Sequence, residues 1–329
     1  MLAKELFVMK QRELVPCAAC GSDNYALYPV HLNPWLPQNY TYSKCNECDF
    51  VYVNPRPLPE EVEEIYAAHT NPFDQEEYEG LDVEGETLER LVKRLKSEMP
   101  EGHMLDMGCG RGDFLKVAHN HGYTVQGSDL STADGPHKDI PIFQGFLKDA
   151  NFPTAEFDIV VTRNTLEHIF DPNEDLRELN RILKPGGLLY VKVPHVKYEE
   201  GWRCKAFFGF KSLFTPPVHL NHFSTSTLSG ILNRNGFEVI SWESEKPSKS
   251  KSKLKNVILS TGYAAIDTMK AATFGAAFPK PVLCVLVRKV STPTYSVTLD
   301  LPVREPIHSV ATELAPKRQE AGKKQQLTA

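Results

Sequence analysis

The sequence predicts a doubly wound α/β domain carrying a small N-terminal module, and three observations support this. Apolar strand-like runs alternate with helical patterns from His103 to Pro194, which implies parallel pairing through crossover helices. A glycine-rich bend, LDMGCGRG, joins the first of these strands to the helix after it. Ahead of the glycines, LERLVKRLKSEM repeats Leu88, Leu91, Val92 and Leu95 at helical spacing, a face suited to packing on a sheet. At 329 residues and 41% hydrophobic, the chain can bury one large core and support a small satellite.

In order, HMLDMG, YTVQGSDL, FDIVVTRN and GGLLYVKVP read as strands, with FLKVAHNHG and DLRELNRIL as helices between them. STLSGILNRNG then reads as a helix closed by Gly236, FEVISWES as a strand and PVLCVLVRKV as a final buried strand. VILSTGYAAIDTMKAAT reads as a helix, and Ser/Lys-rich residues 246–255 as a flexible loop. Lys184, Pro185, Gly186 and Gly187 are read as a structural turn into the fifth strand. The expected boundaries are a metal-binding module at 1–56, a helical linker at 57–85 and the main domain at 86–290. A lid insertion is expected at 196–224 and a disordered tail at 291–329.

The net charge of −5 gives no global attraction for a phosphate backbone. No apolar run reaches the roughly 18 residues of a membrane helix, and the N-terminus shows no signal peptide. These features predict a cytoplasmic protein with a small-molecule partner, no membrane and no nucleic acid. They leave the oligomeric state open.

Four of the seven cysteines form two C-x-x-C pairs, Cys17/Cys20 and Cys45/Cys48, separated by 24 residues. Two tight turns at that spacing can present four thiolates to one tetrahedral Zn²⁺. Such a closed site is structural, because it leaves no coordination position for catalysis. Cys109, Cys204 and Cys284 read as small core residues.

In the glycine bend, Gly108, Gly110 and Gly112 allow close approach of backbone to a ligand. Asp106, two residues before the first glycine, would repel a pyrophosphate but attract an ammonium, which favours a cationic cofactor over a dinucleotide. Asp129 ends the second strand seventeen residues after Gly112, in the position of an acid that accepts hydrogen bonds from ribose hydroxyls.

Together LDMGCGRG, SDL, FDIVVTRNTLEHI and LNRILKPGGLLYVKVP resemble the class I S-adenosylmethionine-dependent methyltransferases, over roughly residues 85–243. The resemblance implies a seven-stranded, mostly parallel, Rossmann-like sheet. It also implies that Gly108 and Gly110 bound the methionine portion of the cofactor, that Asp106 supports its ammonium, and that Asp129 holds its ribose. Gly145, Phe146 and Leu147 would flank the adenine, with Phe146 where many relatives have Asp. Arg163 and Asn164 would touch the cofactor and face the substrate.

The segment CDFVYVNPRPLPEEVEEIY resembles the zinc-binding domain that precedes bacterial sugar C-methyltransferases and related tailoring enzymes. In those relatives a catalytic histidine occupies a similar H-L-x-x-[FY]-S setting. That implies His219 as the better match for a base, with His222 beside it. Trp202, Phe207, Phe208, Phe210 and Phe214 ahead of them read either as an aromatic lid or as core residues covering the sheet edge. Glu167 and His168 are assigned to a structural or cofactor-side role and not to a metal.

The expected activity is O- or C-methylation of a sugar or secondary-metabolite intermediate. An RNA or protein methyltransferase is the alternative enzyme, and a non-catalytic zinc adaptor the alternative of another class.

Overall fold

The computed structural model describes residues 12–29, 40–62, 84–130, 137–197, 214–243 and 282–290. The expected linker helix beyond Val62, most of the aromatic lid with Cys204, the 246–255 loop, the 257–273 helix and the C-terminal tail lie outside these residues.

A short ribbon pairs β1 (Arg12–Glu13) with β5 (Arg56–Pro57). Between them come β2 (Tyr25–Tyr28), β3 (Tyr42–Cys45) and β4 (Val51–Val53). The main domain follows as α1 (Glu84–Glu98), β6 (His103–Met107), α2 (Asp113–Asn120), β7 (Thr124–Asp129), β8 (Ile142–Gln144), a 3₁₀ turn (Leu147–Ala150) and β9 (Phe157–Arg163). It continues with α3 (Pro172–Ile182), β10 (Leu183–Pro194), β11 (Asn221–His222), α4 (Thr225–Arg234), β12 (Phe237–Glu243) and β13 (Val282–Lys289).

Seven strands form one sheet in the order β12-β13-β10-β9-β6-β7-β8. The pairs from β10 through β8 are parallel, and β13 runs antiparallel to both its neighbours. This is the mostly parallel α/β sheet the sequence predicts. β8 had no counterpart among the strands read from the sequence, because its three residues, IFQ, are too few to establish a period. The Lys184–Gly187 stretch is an irregularity inside β10 and not a separate turn, since the register shifts between Leu183 and Leu188.

Helices cover both faces, as buried parallel strands require. On one face α1 brings the expected Leu88, Val92 and Leu95 against Phe114 and Leu115 of α2 and Tyr190 and Leu286 of the sheet. On the other, Leu176 and Leu179 of α3 and Leu228 and Ile231 of α4 pack on Val160, Leu189 and Val285. Asp171 accepts hydrogen bonds from the backbone N–H groups of Asn173 and Glu174 to cap α3, and Ser224 and Thr227 cap α4 reciprocally. Cys109 and Cys284 are buried, as expected. Among the described residues no helix is long and apolar enough to cross a membrane.

The N-terminal residues build a second sheet of four antiparallel strands, β11-β4-β3-β2. Its fourth strand comes from far along the chain: Asn221 pairs with Tyr52 and His222 with Val51. Phe50 and Tyr52 share the apolar cluster that holds α3 and α4, and Phe50 lies 5.3 Å from Phe223. The small sheet therefore packs directly on the main core.

Candidate functional site

Three groups of side chains expected to carry chemistry lie at the C-terminal ends of the parallel strands, just beyond them, and in the small sheet.

The first is the glycine bend between β6 and α2. Gly108, Gly110 and Gly112 all have left-handed φ, of 74°, 51° and 81°. A β-carbon on Gly108 would lie 2.1 Å from Thr165 Oγ1, whereas one on Gly110 would meet nothing within 4 Å. Gly108 is thus required by packing inside the protein. Gly110 faces open space where a ligand can approach.

Asp106 is 3% exposed, and its Oδ1 has no hydrogen-bond partner. Burial raises its pKa to about 7, with Arg163 opposing and Asp129 adding to the shift. A carboxylate this deep without a partner is costly. An ammonium delivered by a ligand would supply the missing charge. The residues therefore fit the amino-acid end of the cofactor.

Asp129, half-buried at the end of β7, accepts a hydrogen bond from the Gly110 backbone N–H at 2.8 Å. It thus fixes the bend as well as standing where the ribose is expected. Gly145 donates its backbone N–H to the Asp129 carbonyl at 3.0 Å. Phe146 beside it is 37% exposed and offers an apolar face, while Leu147 turns into the core at 5% exposure. Of the expected adenine-side trio, Leu147 can contribute only backbone. Arg163 lies over the Phe114 ring at 5.4 Å, and exposed Asn164 adopts φ 52° and donates its N–H to the Lys192 carbonyl.

The second group joins the turn after β9 to the segment before β11. Leu220 and Asn221 donate backbone N–H groups to the Glu167 carbonyl at 2.8 and 3.0 Å, and the Asn221 side-chain amide donates to the Ile169 carbonyl at 2.6 Å. These bonds bring Glu167, His168 and His219 together, with ligand-type atoms within 4.8 Å of one another. The His168 and His219 rings are 4.7 Å apart. Glu167 is 1% exposed, and burial raises its pKa to about 8. From sequence, Glu167 and His168 are expected as a pair with a structural or cofactor-side role, apart from His219. Nothing local in LEHIF signals a pairing made fifty residues later.

His222 lies deeper than His219. It was expected beside His219 as a base, but it is 2% exposed, with its ring 5.0 Å from Tyr42 and 4.4 Å from Phe214. Burial, assisted by the nearby His168, lowers its pKa to about 3. Its Nε2 is buried with no hydrogen-bond partner. Phe214 is 3% exposed and joins a core cluster, one of the two roles expected for the aromatic segment.

The third group is Cys17, Cys20, Cys45 and Cys48, whose sulfurs all lie within 4.8 Å of one another. Gly21 donates its N–H to the Cys17 carbonyl and Asp49 donates to the Cys45 carbonyl, giving two matching tight turns. Both turns close on left-handed residues, Gly21 at φ 79° and Asp49 at φ 64°. Cys17 and Cys48 are 3.5 Å apart, and Cys20 and Cys45 are 3.4 Å apart. Mutual proximity drives the Cys17 thiol up and the Cys48 thiol down. The donor set fits a tetrahedral thiophilic ion.

A family model described as a methyltransferase domain matches residues 66–242, more than half of the chain. The chain belongs to that family. It carries an S-adenosylmethionine-dependent methyltransferase domain, built on the seven-stranded sheet described above.

The chain is 28% identical over 158 residues to the 27-O-demethylrifamycin SV methyltransferase of Amycolatopsis mediterranei, covering 41% of this chain and 58% of that one. It is 33% identical over 98 residues to a ubiquinone biosynthesis O-methyltransferase of Caulobacter vibrioides, covering 27% and 39%. The chain thus spans little more than half the length, or less, of these curated relatives. A solved S-adenosylmethionine-dependent methyltransferase from Mesorhizobium loti aligns with a TM-score of 0.43 at 21% identity, covering 60% of this chain and 96% of that one.

Proposed function

We propose that this protein methylates an oxygen or carbon of a small-molecule acceptor, a sugar or a secondary-metabolite intermediate, using S-adenosylmethionine. The observation that carries this is the unpartnered, buried Asp106 beside the open Gly110. That arrangement accepts a cationic amino acid and disfavours a pyrophosphate. The two relatives named above act on metabolites as O-methyltransferases by their names, which supports the acceptor class.

The cofactor supplies an electrophilic methyl group. The protein's task is to align the acceptor with it and exclude water. Asp106 holds the ammonium, Asp129 the ribose and Gly145-Phe146 the adenine side. Arg163 and Asn164 face the acceptor. The Glu167, His168 and His219 cluster activates it, with half-exposed His219 as the base.

Zn²⁺ on Cys17, Cys20, Cys45 and Cys48 would be structural. It would hold the turn before β2 and the turn between β3 and β4, and so the sheet on which β11, just past His219, pairs. Reduced thiols of this kind fit a cytoplasmic setting. A polymer acceptor gains no support from the described residues.

The test is incubation with methyl-labelled S-adenosylmethionine and fractionated cell extract, with mass spectrometry of the labelled product. A labelled metabolite is expected, and label only in RNA or protein contradicts the proposal. His219→Ala should lower turnover about a hundredfold or more while leaving S-adenosylhomocysteine affinity within about twofold.

A further inference from the structure

We propose that Glu167, His168 and His219 form a second metal site, distinct from the four cysteines, that takes a divalent first-row transition ion on the acceptor side of the cofactor bend. Two imidazoles and a carboxylate are the donor set such ions prefer when positions remain open for a substrate oxygen. Their ligand atoms already lie within 4.8 Å of one another, and His168 Nε2 is 3.9 Å from Glu167 Oε1.

The surroundings of each donor agree with ligation. His168 Nδ1 lies 2.8 Å from the Val218 carbonyl. A carbonyl only accepts, so Nδ1 carries the proton and Nε2 is the ring's basic nitrogen, on the side of Glu167. Metal-bound histidines are held in this way, the second ring nitrogen donating to a backbone carbonyl. Glu167 Oε2 is buried with no hydrogen-bond partner. Its backbone carbonyl is fixed by the N–H groups of Leu220 and Asn221, the residues that follow His219. The carboxylate is therefore held against the segment that supplies the third donor. The remaining tightening falls to His168 and His219, both half-exposed.

The position is equally specific. Thr165, two residues before Glu167, packs its Oγ1 where a Gly108 side chain would be and donates to the Met107 carbonyl at 3.2 Å. The cluster thus begins one turn from the cofactor bend. Its role in catalysis rests on the proposed methyl transfer. Glu167, His168 and His219 would hold the ion, which would make a nearby acceptor hydroxyl more acidic, so that its proton would pass to water. The oxygen lone pair then forms the bond to the methyl carbon, while the sulfur–carbon electron pair returns to sulfur and leaves S-adenosylhomocysteine.

The experiment uses the full chain with its four cysteines loaded with zinc, titrated with Co²⁺ and followed by equilibrium dialysis and visible absorption. One further equivalent of Co²⁺ is expected, showing weak d–d bands and no thiolate-to-cobalt charge transfer. Glu167→Gln and His219→Asn should each weaken that binding at least tenfold, with zinc content and S-adenosylhomocysteine affinity unchanged. Should Glu167→Gln fail to fold, the half-exposed His219 carries the test. Absence of the extra equivalent in the wild type, or unchanged Co²⁺ affinity in the variants, overturns the proposal. Metal uptake is read without any methyl acceptor, so its outcome is separate from that of the labelling experiment.

Discussion

The central strands of the large sheet, β6 to β10, come from one stretch of chain, residues 103–194, and each is joined to a neighbouring strand by a crossover. The small sheet instead joins residues 25–53 to residues 221–222 and is framed by four cysteines. In the first, local apolar runs and helices suffice to close the core. In the second, three short strands have too little apolar surface to stand alone. They depend on packing against the main core, on β11 and, by the proposed account, on an ion. The large sheet is built from local patterns, and the small sheet is conditional on distant ones.

Breaking the conditional sheet should give the largest effect. Cys45 is fully buried at the end of β3, and Cys45→Ser should release the ion and destabilise the fold by on the order of 5 kcal/mol. Calorimetric melting with zinc analysis checks this, and an unchanged melting temperature would contradict the account.

Within the large sheet, Gly108→Ala should come next. It combines a left-handed φ with a 2.1 Å clash at Thr165 Oγ1, and should cost about 3 kcal/mol in urea unfolding. Asp106→Asn should weaken S-adenosylhomocysteine about ten- to a hundredfold by calorimetry. The same change should leave the ligand-free fold as stable or more so, since it removes a buried charge whose Oδ1 has no hydrogen-bond partner. Gly110→Ala should have the smallest effect on the ligand-free protein, about 1 kcal/mol from φ alone, because its space is empty.

The same contrast explains what the sequence conveyed. The order of the main strands, α1 with its Leu88, Val92 and Leu95 face, and the bend at Gly108 to Gly112 are local patterns, and local patterns can be read directly. β8 was too short to carry a period. β11 has no pattern of its own: its two residues become a strand only because Val51 and Tyr52 are there to pair with them. That pairing also separates the two histidines, leaving His219 before the strand and sealing His222 between Tyr42 and Phe214. The meeting of Glu167 with His219 depends on backbone hydrogen bonds from Leu220 and Asn221, which spacing does not encode.

The central claim is that Asp106 receives a cationic nucleoside, and its protonation provides the most direct test. Burial raises the carboxyl from 3.8 to about 7. Its contribution to ligand-free stability is therefore full below about pH 3.8 and lost as pH rises through 7. Ligand binding has the opposite sign, because the ammonium needs the ionised form. Titration calorimetry of S-adenosylhomocysteine should show affinity rising about tenfold between pH 6 and pH 8, a rise that Asp106→Asn abolishes. An affinity that is flat across that range in the wild type, or a bend that takes up NAD and ignores S-adenosylhomocysteine, would contradict the account.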